Sequence, residues 1–235
     1  YDALRGQGHG CAHHMQTPAM IGAAMALRGV LESSDQPFEI HVIGTPSEES
    51  LDGGKNEMAA HGGFDHIDVA FMVHGSTLTQ LETPSLALIE MDVEFHGKTA
   101  HAGIAPYAGR SAVDAVTMLQ TGLGLMRNHL KDSSRVSNIV LAGGTAVNSV
   151  PDFAKVKVEI RHSSMAYLES VEQWTREIAQ AAAMATQTQV QITPVAHIYN
   201  TTINDAMGAL LMECAEKFAC DGIAPPRKDC GSTDF

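Results

Sequence analysis

Residues 8–14 constrain this chain most, because they place one thiol and three imidazoles within seven residues. A cysteine sulfur and histidine nitrogens together are the ligands that zinc-like divalent ions prefer. Thr17 and Pro18 form a helix start signal, so Cys11 is predicted to lie just before a helix N-terminus. The positive end of the helix dipole favours the thiolate that metal binding needs. Taken alone, this stretch also fits a polar loop with one buried cysteine.

The composition narrows the class of protein. Hydrophobic residues make up 44% of the 235 residues and charged residues 18%, which is ordinary for a globular chain with a sizeable core. The formal net charge of −12 argues against a nucleic-acid partner, since a phosphate-binding surface needs clustered Lys and Arg. No apolar run reaches the roughly 18 residues of a membrane-spanning helix, so we expect no membrane partner.

The cysteines indicate a cellular compartment. They form neither a CxxC pair nor the spacing of a disulfide scaffold, and stand at Cys11, Cys214, Cys220 and Cys230. With Cys11 a candidate metal ligand, the other three are predicted to be reduced thiols. Reduced thiols favour a cytoplasmic location.

The first 84 residues alternate between helix and strand patterns. Apolar spacing predicts a helix at 18–31, a strand at 38–43, a short helix at 56–60 and a buried strand at 67–73. This order predicts a right-handed crossover and a parallel sheet covered by helices. In such sheets ligands bind beyond the carboxyl ends of the strands.

Metal-competent side chains follow both predicted strands at that edge. Glu48 and Glu49 come after the first strand, and His74 comes directly after the second. Cys11 and His13 stand at a helix N-terminus, which is expected at the same edge. The sequence therefore predicts a metal site built from three separate loops. Because adjacent carboxylates cannot point the same way, one can bind metal while the other acts as a general base; a solvated acidic pair is the alternative.

The pattern changes at residues 85–200. Strands and helices are predicted in the order β-α-β-β-α-β, which is the ferredoxin-like arrangement, at 86–95, 111–130, 136–141, 154–160, 165–185 and 190–196. Beyond residue 200 a helix returns, with Cys214 on an apolar stripe whose spacing predicts a core position. We interpret 1–84 and 201–235 as parts of one domain, with 85–200 inserted between them.

Ordered motifs run along the whole chain. They are Tyr1-Asp-Ala-Leu, Gly8-His-x-Cys-x-His, Gly44-Thr-Pro-x-Glu-Glu with Gly53-Gly-Lys, a strand ending in His74, Gly97-Lys-Thr-Ala-His-Ala, Gly143-Gly-Thr-Ala-Val-Asn with Pro151-Asp, and Gly231-Ser-Thr-Asp. Together they resemble the aminoacylase/carboxypeptidase metallohydrolases, peptidase family M-twenty, and most of all its amidohydrolase branch of p-aminobenzoyl-glutamate hydrolases and related dipeptidases.

This resemblance implies an α/β fold with a zinc-peptidase-like parallel-sheet catalytic domain, present in part. Residues 85–200 would be the inserted lid and dimerisation domain, and the chain would form a homodimer through them. The resemblance also implies two divalent metal ions per active site, zinc or manganese. Their ligands in this chain would be Cys11, His13, Glu49 and His74.

The remaining site residues are also implied by the resemblance. Glu48 would be the general base, and His101 would steady the oxyanion in the partner subunit's site. Asn148 and Arg161 would hold the substrate, Arg161 through a bidentate grip on a carboxylate. Without the resemblance, His101 fits a solvated histidine and Arg161 a surface ion pair.

The implied activity is that of a metal-dependent amidohydrolase. It would cleave the amide bond of an N-acyl amino acid, an aminobenzoyl-glutamate or a dipeptide through a metal-activated water. A catalytically silent dimerising relative and a metal-binding domain without chemistry are the alternatives.

Several residues depart from the family's pattern. Arg5, Ala12 and His14 stand where the family commonly has Pro, Gly and Asp or Asn. Alanine resists a backbone conformation that only glycine adopts easily, so we expect a reshaped Cys–His loop. His14 would add a ligand or simply fill space. The family's last histidine ligand is expected beyond residue 235, and further sheet and helix before Tyr1, so the chain is expected to be a piece truncated at both ends.

Overall fold

The computed structural model describes residues 2–50, 53–81, 84–219, 222–225 and 231–232. The chain divides into two compact units. The first unit comprises Tyr1–Pro46, Met58–Leu81 and Asp205–Pro226, and the second Ser47–Glu57, Glu82–Asn204 and Arg227–Phe235. The predicted domain boundaries at 84/85 and 200/201 stay a prediction. Some residues of the quoted motifs and cysteine set lie outside the described residues, namely Tyr1, Cys220, Cys230, Thr233 and Asp234.

Two helices of the first 84 residues confirm the sequence pattern. Helix α1 spans His13–Leu31 and helix α2 spans Gly54–Ala60. Helix α1 begins earlier than predicted and carries Pro18 inside it. The start signal at Thr17-Pro18 was therefore placed too late. The helix continues through Pro18 because a proline near the N-terminus removes only one intrahelical hydrogen bond. Helix α2 ends at a glycine pair, since Gly62 has φ +76° and the Gly63 N–H donates to the Met58 carbonyl at 2.8 Å.

The predicted strands at 38–43 and 67–73 do not form. Neither segment belongs to a hydrogen-bonded ladder among the described residues. Their apolar side chains are exposed, namely Phe38, Val42, Ile43, Val69, Phe71, Met72 and Val73. An apolar run predicts that a segment is buried, whereas a strand also needs a neighbour that pairs with its backbone. The expectation that these two segments pair into a parallel sheet was therefore wrong for this part of the chain.

The second unit has the predicted ferredoxin-like order. Strand β1 spans Ala87–His96, followed by helix α3 (Ala112–Arg127), strands β2 (Arg135–Ala142) and β3 (Phe153–His162), helix α4 (Met165–Thr186) and strand β4 (Gln189–Ile198). The four strands pair antiparallel in the order β2-β3-β1-β4. This order confirms the β-α-β-β-α-β arrangement and the α/β class.

Strict alternation along β3 explains which face of this sheet is covered. Ala154, Val156, Val158 and Ile160 are fully buried on one face and belong to a core formed with α3 and α4. The helices begin at capping serines, since the Ser111 side chain accepts from the Asp114 N–H and the Ser164 side chain from the Tyr167 N–H. Apolar burial on this single face provides most of the driving force for folding the unit.

The other face of the sheet carries paired charges. The Lys155 ammonium lies 2.7 Å from Asp92 and 3.0 Å from Glu94, and Lys157 lies 2.7 Å from Glu90. Opposite charges on facing strands stabilise the sheet modestly. The same pairing raises the pKa of Lys155, chiefly through its hydrogen bonds to Asp92 and Glu94.

Helix α5 spans Asp205–Phe218 and is the helix predicted beyond residue 200. Only Gly208 is buried among its residues, and Cys214 is exposed. The prediction of a core position for Cys214 was therefore wrong. Helical periodicity predicts an apolar stripe, but it does not tell whether another element covers the stripe.

Among the described residues, no helix has the length and apolar character needed to cross a bilayer.

Candidate metal centre

Three of the predicted ligands converge in the first unit. Cys11 Sγ lies 3.1 Å from His74 Nε2, and the rings of His13 and His74 meet edge to face with centroids 5.9 Å apart. One ligand atom from each of these residues lies within 4.8 Å of the others. These residues are separated by up to 63 positions in the chain, so the fold brings them together.

The loop before α1 sets the position of Cys11 and His13. Ala12 stands directly before the helix with φ 58° and ψ 22°, in the left-handed region. This conformation costs an L-residue about 1–2 kcal/mol relative to the right-handed one. Alanine therefore adopts the backbone shape that glycine adopts easily, and strains the loop. We expected the Cys–His loop to change shape because alanine would avoid this conformation. Ala12 adopts the conformation instead.

Gly75 brings the His74 segment close to this loop. A Cβ atom built on Gly75 would lie 2.7 Å from the Cβ of Ala12, closer than any two such atoms pack. Only glycine therefore fits at this position without displacing the loop. The sequence shows the His74-Gly75 pair but does not predict this contact, because nothing in the chain before Gly75 indicates which backbone it meets.

Hydrogen bonds orient both histidine rings. His74 Nδ1 lies 2.8 Å from the Gly75 carbonyl oxygen, and His13 Nδ1 lies 2.8 Å from Gln16 Oε1. A carbonyl oxygen only accepts, so Nδ1 of His74 donates and its Nε2 keeps a lone pair toward Cys11. This is the tautomer that a metal-binding histidine needs at Nε2.

His14 lies outside this group of three. Its ring stacks on His9, with centroids 3.6 Å apart and an interplanar angle of 26°. Burial lowers the pKa of His14 first, and the neighbouring His9 lowers it further. The imidazole is therefore favoured in its neutral form, packed against a second ring.

A cleft opens beside Cys11 and His74. Its volume is about 470 Å³, within the usual range for small-molecule sites. It is lined by Gly10, Cys11, Ala12, Met15, His74, Gly75, Ser76 and Thr77. A small substrate in this cleft would contact the thiol and the His74 ring directly.

Glu48 and Glu49 lie in a turn of the second unit, where Glu48 is half-buried and Glu49 is exposed. Ser47 precedes them with φ +62°, and the Ser50 hydroxyl donates to its carbonyl at 3.1 Å. The turn gives the two carboxylates different surroundings. Their roles as ligand and base stay predictions.

His101 and Asn148 lie side by side in the second unit. His101 forms an isolated bridge with Ser149, and the Ala102 N–H donates to the Asn148 carbonyl at 2.9 Å. The Gly103 N–H donates to His101 Nδ1 at 3.2 Å. Because Nδ1 accepts this bond, the proton of the neutral ring is on Nε2, which is exposed and able to donate.

Arg161 lies at the opposite end of the same sheet. It follows Phe153 by eight residues along β3, which corresponds to about 27 Å of extended strand. Its Nε and Nη2 donate to the two carboxylate oxygens of Glu159 at 2.8 and 2.9 Å, and its Nη1 lies 3.3 Å from Ser232 Oγ. The ion pair that the sequence left open as the alternative for Arg161 is therefore present.

The donor set of the first unit fits a divalent ion. Bond lengths of about 2.0–2.3 Å to nitrogen and sulfur mean that two donors on one zinc ion lie at most about 4.4 Å apart. Cys11 Sγ and His74 Nε2 lie 3.1 Å apart and meet this limit. The ligand atoms of the whole group lie within 4.8 Å of one another, so a side-chain shift of less than an ångström brings all of them within the limit. A thiol and two imidazoles suit zinc by their chemistry.

Comparison with known proteins identifies relatives of this chain. Residues 87–187 match the peptidase dimerisation domain family. The chain is 33% identical over 241 residues to the Xaa-Arg dipeptidase of Mus musculus, a match that covers 100% of this chain and 56% of the relative. It is 33% identical over 206 residues to one of the p-aminobenzoyl-glutamate hydrolase chains of Escherichia coli, covering 85% of this chain and 43% of the relative.

A solved structure gives the same relationship at the level of fold. The aminobenzoyl-glutamate utilization protein from Klebsiella pneumoniae superposes with a TM-score of 0.66 at 26% identity, over 81% of this chain and 50% of that one. The chain spans about half the length of the relatives it matches. The matched domain, the two hydrolase relatives and the shared fold agree with the motifs in the sequence, and the chain belongs to the aminoacylase/carboxypeptidase family of amidohydrolases and peptidases, peptidase family M-twenty.

Proposed function

We propose that the protein is a metal-dependent amidohydrolase that cleaves the amide bond of an N-acyl amino acid, an aminobenzoyl-glutamate or a dipeptide. The convergence of Cys11, His13 and His74 carries this proposal, because it assembles three metal-competent side chains from two distant segments, and two of them line a cleft. The relatives support the substrate class, since they are a dipeptidase and an aminobenzoyl-glutamate hydrolase.

Cys11, His13, His74 and Glu49 would hold the metal, as two zinc or manganese ions per active site. Bound there, a divalent ion supplies Lewis-acid chemistry, which polarises the amide carbonyl and lowers the pKa of water. Glu48 takes the proton from the attacking water and passes it to the departing amine. As the amide C–N bond breaks, that transfer turns the amine into a neutral leaving group.

His101 stabilises the negative charge that develops on the carbonyl oxygen of the substrate. The proton on its Nε2 is aimed outward, because Nδ1 accepts from the Gly103 N–H. A fixed N–H donor at the oxyanion is worth several kcal/mol in rate when it is pre-oriented. Asn148 stands beside His101 and provides an amide that hydrogen-bonds the substrate.

The two ends of the sheet serve different sites in a homodimer. His101 and Asn148 lie at one end of β3 and Arg161 at the other, too far apart for one small substrate. A dimer through residues 85–200 resolves this, since His101 and Asn148 then act in the partner subunit's site. Exposed apolar side chains on edge strand β2 and helix α3 support such a pairing, namely Met118, Leu125, Ile139 and Leu141.

Arg161 binds the substrate carboxylate in this proposal. Its guanidinium already binds Glu159, so a substrate carboxylate competes with that side chain for the guanidinium.

The cysteines support a cytoplasmic location, because neither Cys11 nor Cys214 is in a disulfide among the described residues. The formal charge of −12 is unsuited to a nucleic-acid partner.

Metal content and turnover test the proposal together. Purified protein should carry divalent ions, and Cys11→Ala should lower that content without unfolding the chain. Cys214→Ala, which removes an exposed thiol outside the cluster, is the matched control. Unchanged stoichiometry in both Cys11→Ala and His74→Ala would end the metal interpretation. Bound metal without hydrolysis of any acyl-amino acid or dipeptide would favour the silent relative instead.

A further inference from the structure

Gln16 stands one helical turn after His13, on the same face of α1. Residues three apart on a helix are neighbours, so the two side chains can meet. Gln16 Oε1 lies 2.8 Å from His13 Nδ1, and the contact is half-buried. Neither the family resemblance nor the motif spacing pointed to this glutamine.

The chemistry of this contact decides which nitrogen of His13 is available to a cation. With the amide oxygen facing the ring, Nδ1 must donate and Nε2 keeps its lone pair. With the amide turned round, its NH₂ group would donate to Nδ1 and leave the proton on Nε2, where it would block metal binding. In the structure the amide oxygen faces Nδ1, and this arrangement is the one compatible with ligation through Nε2.

We propose that Gln16 is a positioning residue that fixes Nε2 of His13 as the metal-binding atom. This inference rests on the proposed metal site. The Gly75 carbonyl holds Nδ1 of His74 in the same manner at 2.8 Å. The two histidines thus receive matching orientation from different sources, one from the backbone and one from a side chain that substitution can remove.

A hydrogen-bonded partner on the far nitrogen orients the ring and raises its basicity toward a metal. Removing such partners lowers metal affinity by roughly 10–100-fold in other sites. A carboxylate in place of the amide accepts the same proton more strongly and makes Nε2 a better donor to the cation. Gln16→Leu should therefore weaken zinc binding by roughly 10–100-fold, and Gln16→Glu should preserve or strengthen it.

Zinc titration against a chromophoric chelator measures the affinities of the purified chain and its variants. Thr17→Ala is the control, because Thr17 is the next residue of α1 and is exposed. Affinity equal to that of the unaltered protein in Gln16→Leu would overturn the inference while leaving the metal site in place. Absence of zinc binding in the unaltered protein would instead refute the proposed metal centre, so the two failures are distinguishable.

A second readout reports the proton directly. Nitrogen-15 spectra of histidine-labelled protein distinguish Nδ1–H from Nε2–H, and His13→Gln identifies the His13 signals. We expect Nδ1–H in the unaltered protein and in Gln16→Glu, before and after zinc is added. The Nε2–H form should appear in zinc-free Gln16→Leu. A His13 ring with its proton on Nε2 in the unaltered protein would overturn the inference. If Gln16→Leu fails to fold, zinc binding by Gln16→Glu that is weaker than that of the unaltered protein would overturn it as well.

Discussion

The backbone of Gly75 approaches Ala12 so closely that a Cβ atom on Gly75 would lie 2.7 Å from the Cβ of Ala12. Ala12 itself has φ 58°, which strains an L-residue. A glycine on one side and a strained alanine on the other therefore hold Cys11 next to His74. This contact leads to a test in which one substitution compensates for another.

Gly75→Ala should destabilise the loop pair by about 1–3 kcal/mol, the usual effect of forcing a methyl group into packed surroundings. Ala12→Gly removes the opposing methyl group and the φ strain, so the double variant should recover most of the loss. Urea denaturation and zinc affinity measure the cycle. If the loss in the double variant equals the sum of the effects of Gly75→Ala and Ala12→Gly alone, the two positions do not interact.

Glu48→Gln should keep metal content while lowering kcat by roughly 10²–10⁴-fold, because the substitution preserves shape and removes the proton acceptor. Glu213→Gln on α5 removes an exposed carboxylate that pairs with Lys217 and serves as the control. Kinetics with an aminobenzoyl-glutamate or dipeptide substrate give the comparison. Near-normal turnover in Glu48→Gln would assign the base to another residue.

His101→Ala should be inactive, keep its metal and remain dimeric. Mixing it with inactive Glu48→Gln protein creates heterodimers with one site lacking both groups and one site lacking neither. Activity should return to about half of the normal value per heterodimer, since a general base contributes its full effect within one intact site. Native mass spectrometry verifies that heterodimers form.

The control for this mixture carries both substitutions in one chain. Heterodimers of that chain with Glu48→Gln protein contain no intact site and should stay inactive. If the first mixture forms heterodimers and no activity returns, His101 does not act across the interface.

Glu159→Gln should strengthen binding of substrates that carry a carboxylate. The Glu159 carboxylate occupies Nε and Nη2 of Arg161, so its neutralisation releases the fork for the substrate. We expect a lower KM with kcat nearly unchanged. Glu169→Gln, a substitution on α4, is the control. A KM that does not fall would mean that Arg161 has only the structural role of an ion pair.

Lys155→Gln should destabilise the second unit at neutral pH and much less at very high pH. The folded-state pKa of Lys155 is raised by its hydrogen bonds to Asp92 and Glu94. Its contribution is therefore full below the ordinary value of 10.5 and is lost as pH rises through the raised pKa. Urea denaturation of both proteins at neutral pH and at a pH above the raised pKa of Lys155 compares them. A stability difference that persists at the higher pH would exclude the charge as its cause.

The second unit could be predicted from the sequence because local patterns and final structure agree there. Alternation in β3 matches one buried face, and serines at 111 and 164 mark the starts of α3 and α4. The hairpin and crossovers then leave few ways to order four strands. Each element also finds its partner within the same stretch of about a hundred residues, which is a common size for a domain.

The first unit was harder to predict, because its apolar patterns predict that side chains are buried but do not show which other elements cover them or pair with them. The apolar runs at 38–43 and 67–73 indicated strands, yet the described residues pair neither of them. Cys214 likewise stood on an apolar stripe and is exposed. Cys11 and His74 lie close together as expected, although the two strands that placed them at one sheet edge do not form. The Gln16 and Gly75 contacts depend on three-dimensional proximity that no spacing rule encodes.

Strand β3 is paired with β1 on one side and β2 on the other along nearly its whole length. Its ends therefore cannot move independently, and about 27 Å of extended strand separates Phe153 from Arg161. The backbone ladders on both sides of β3, and not the side chains along it, thus set the spacing between the Asn148 end and the Arg161 end.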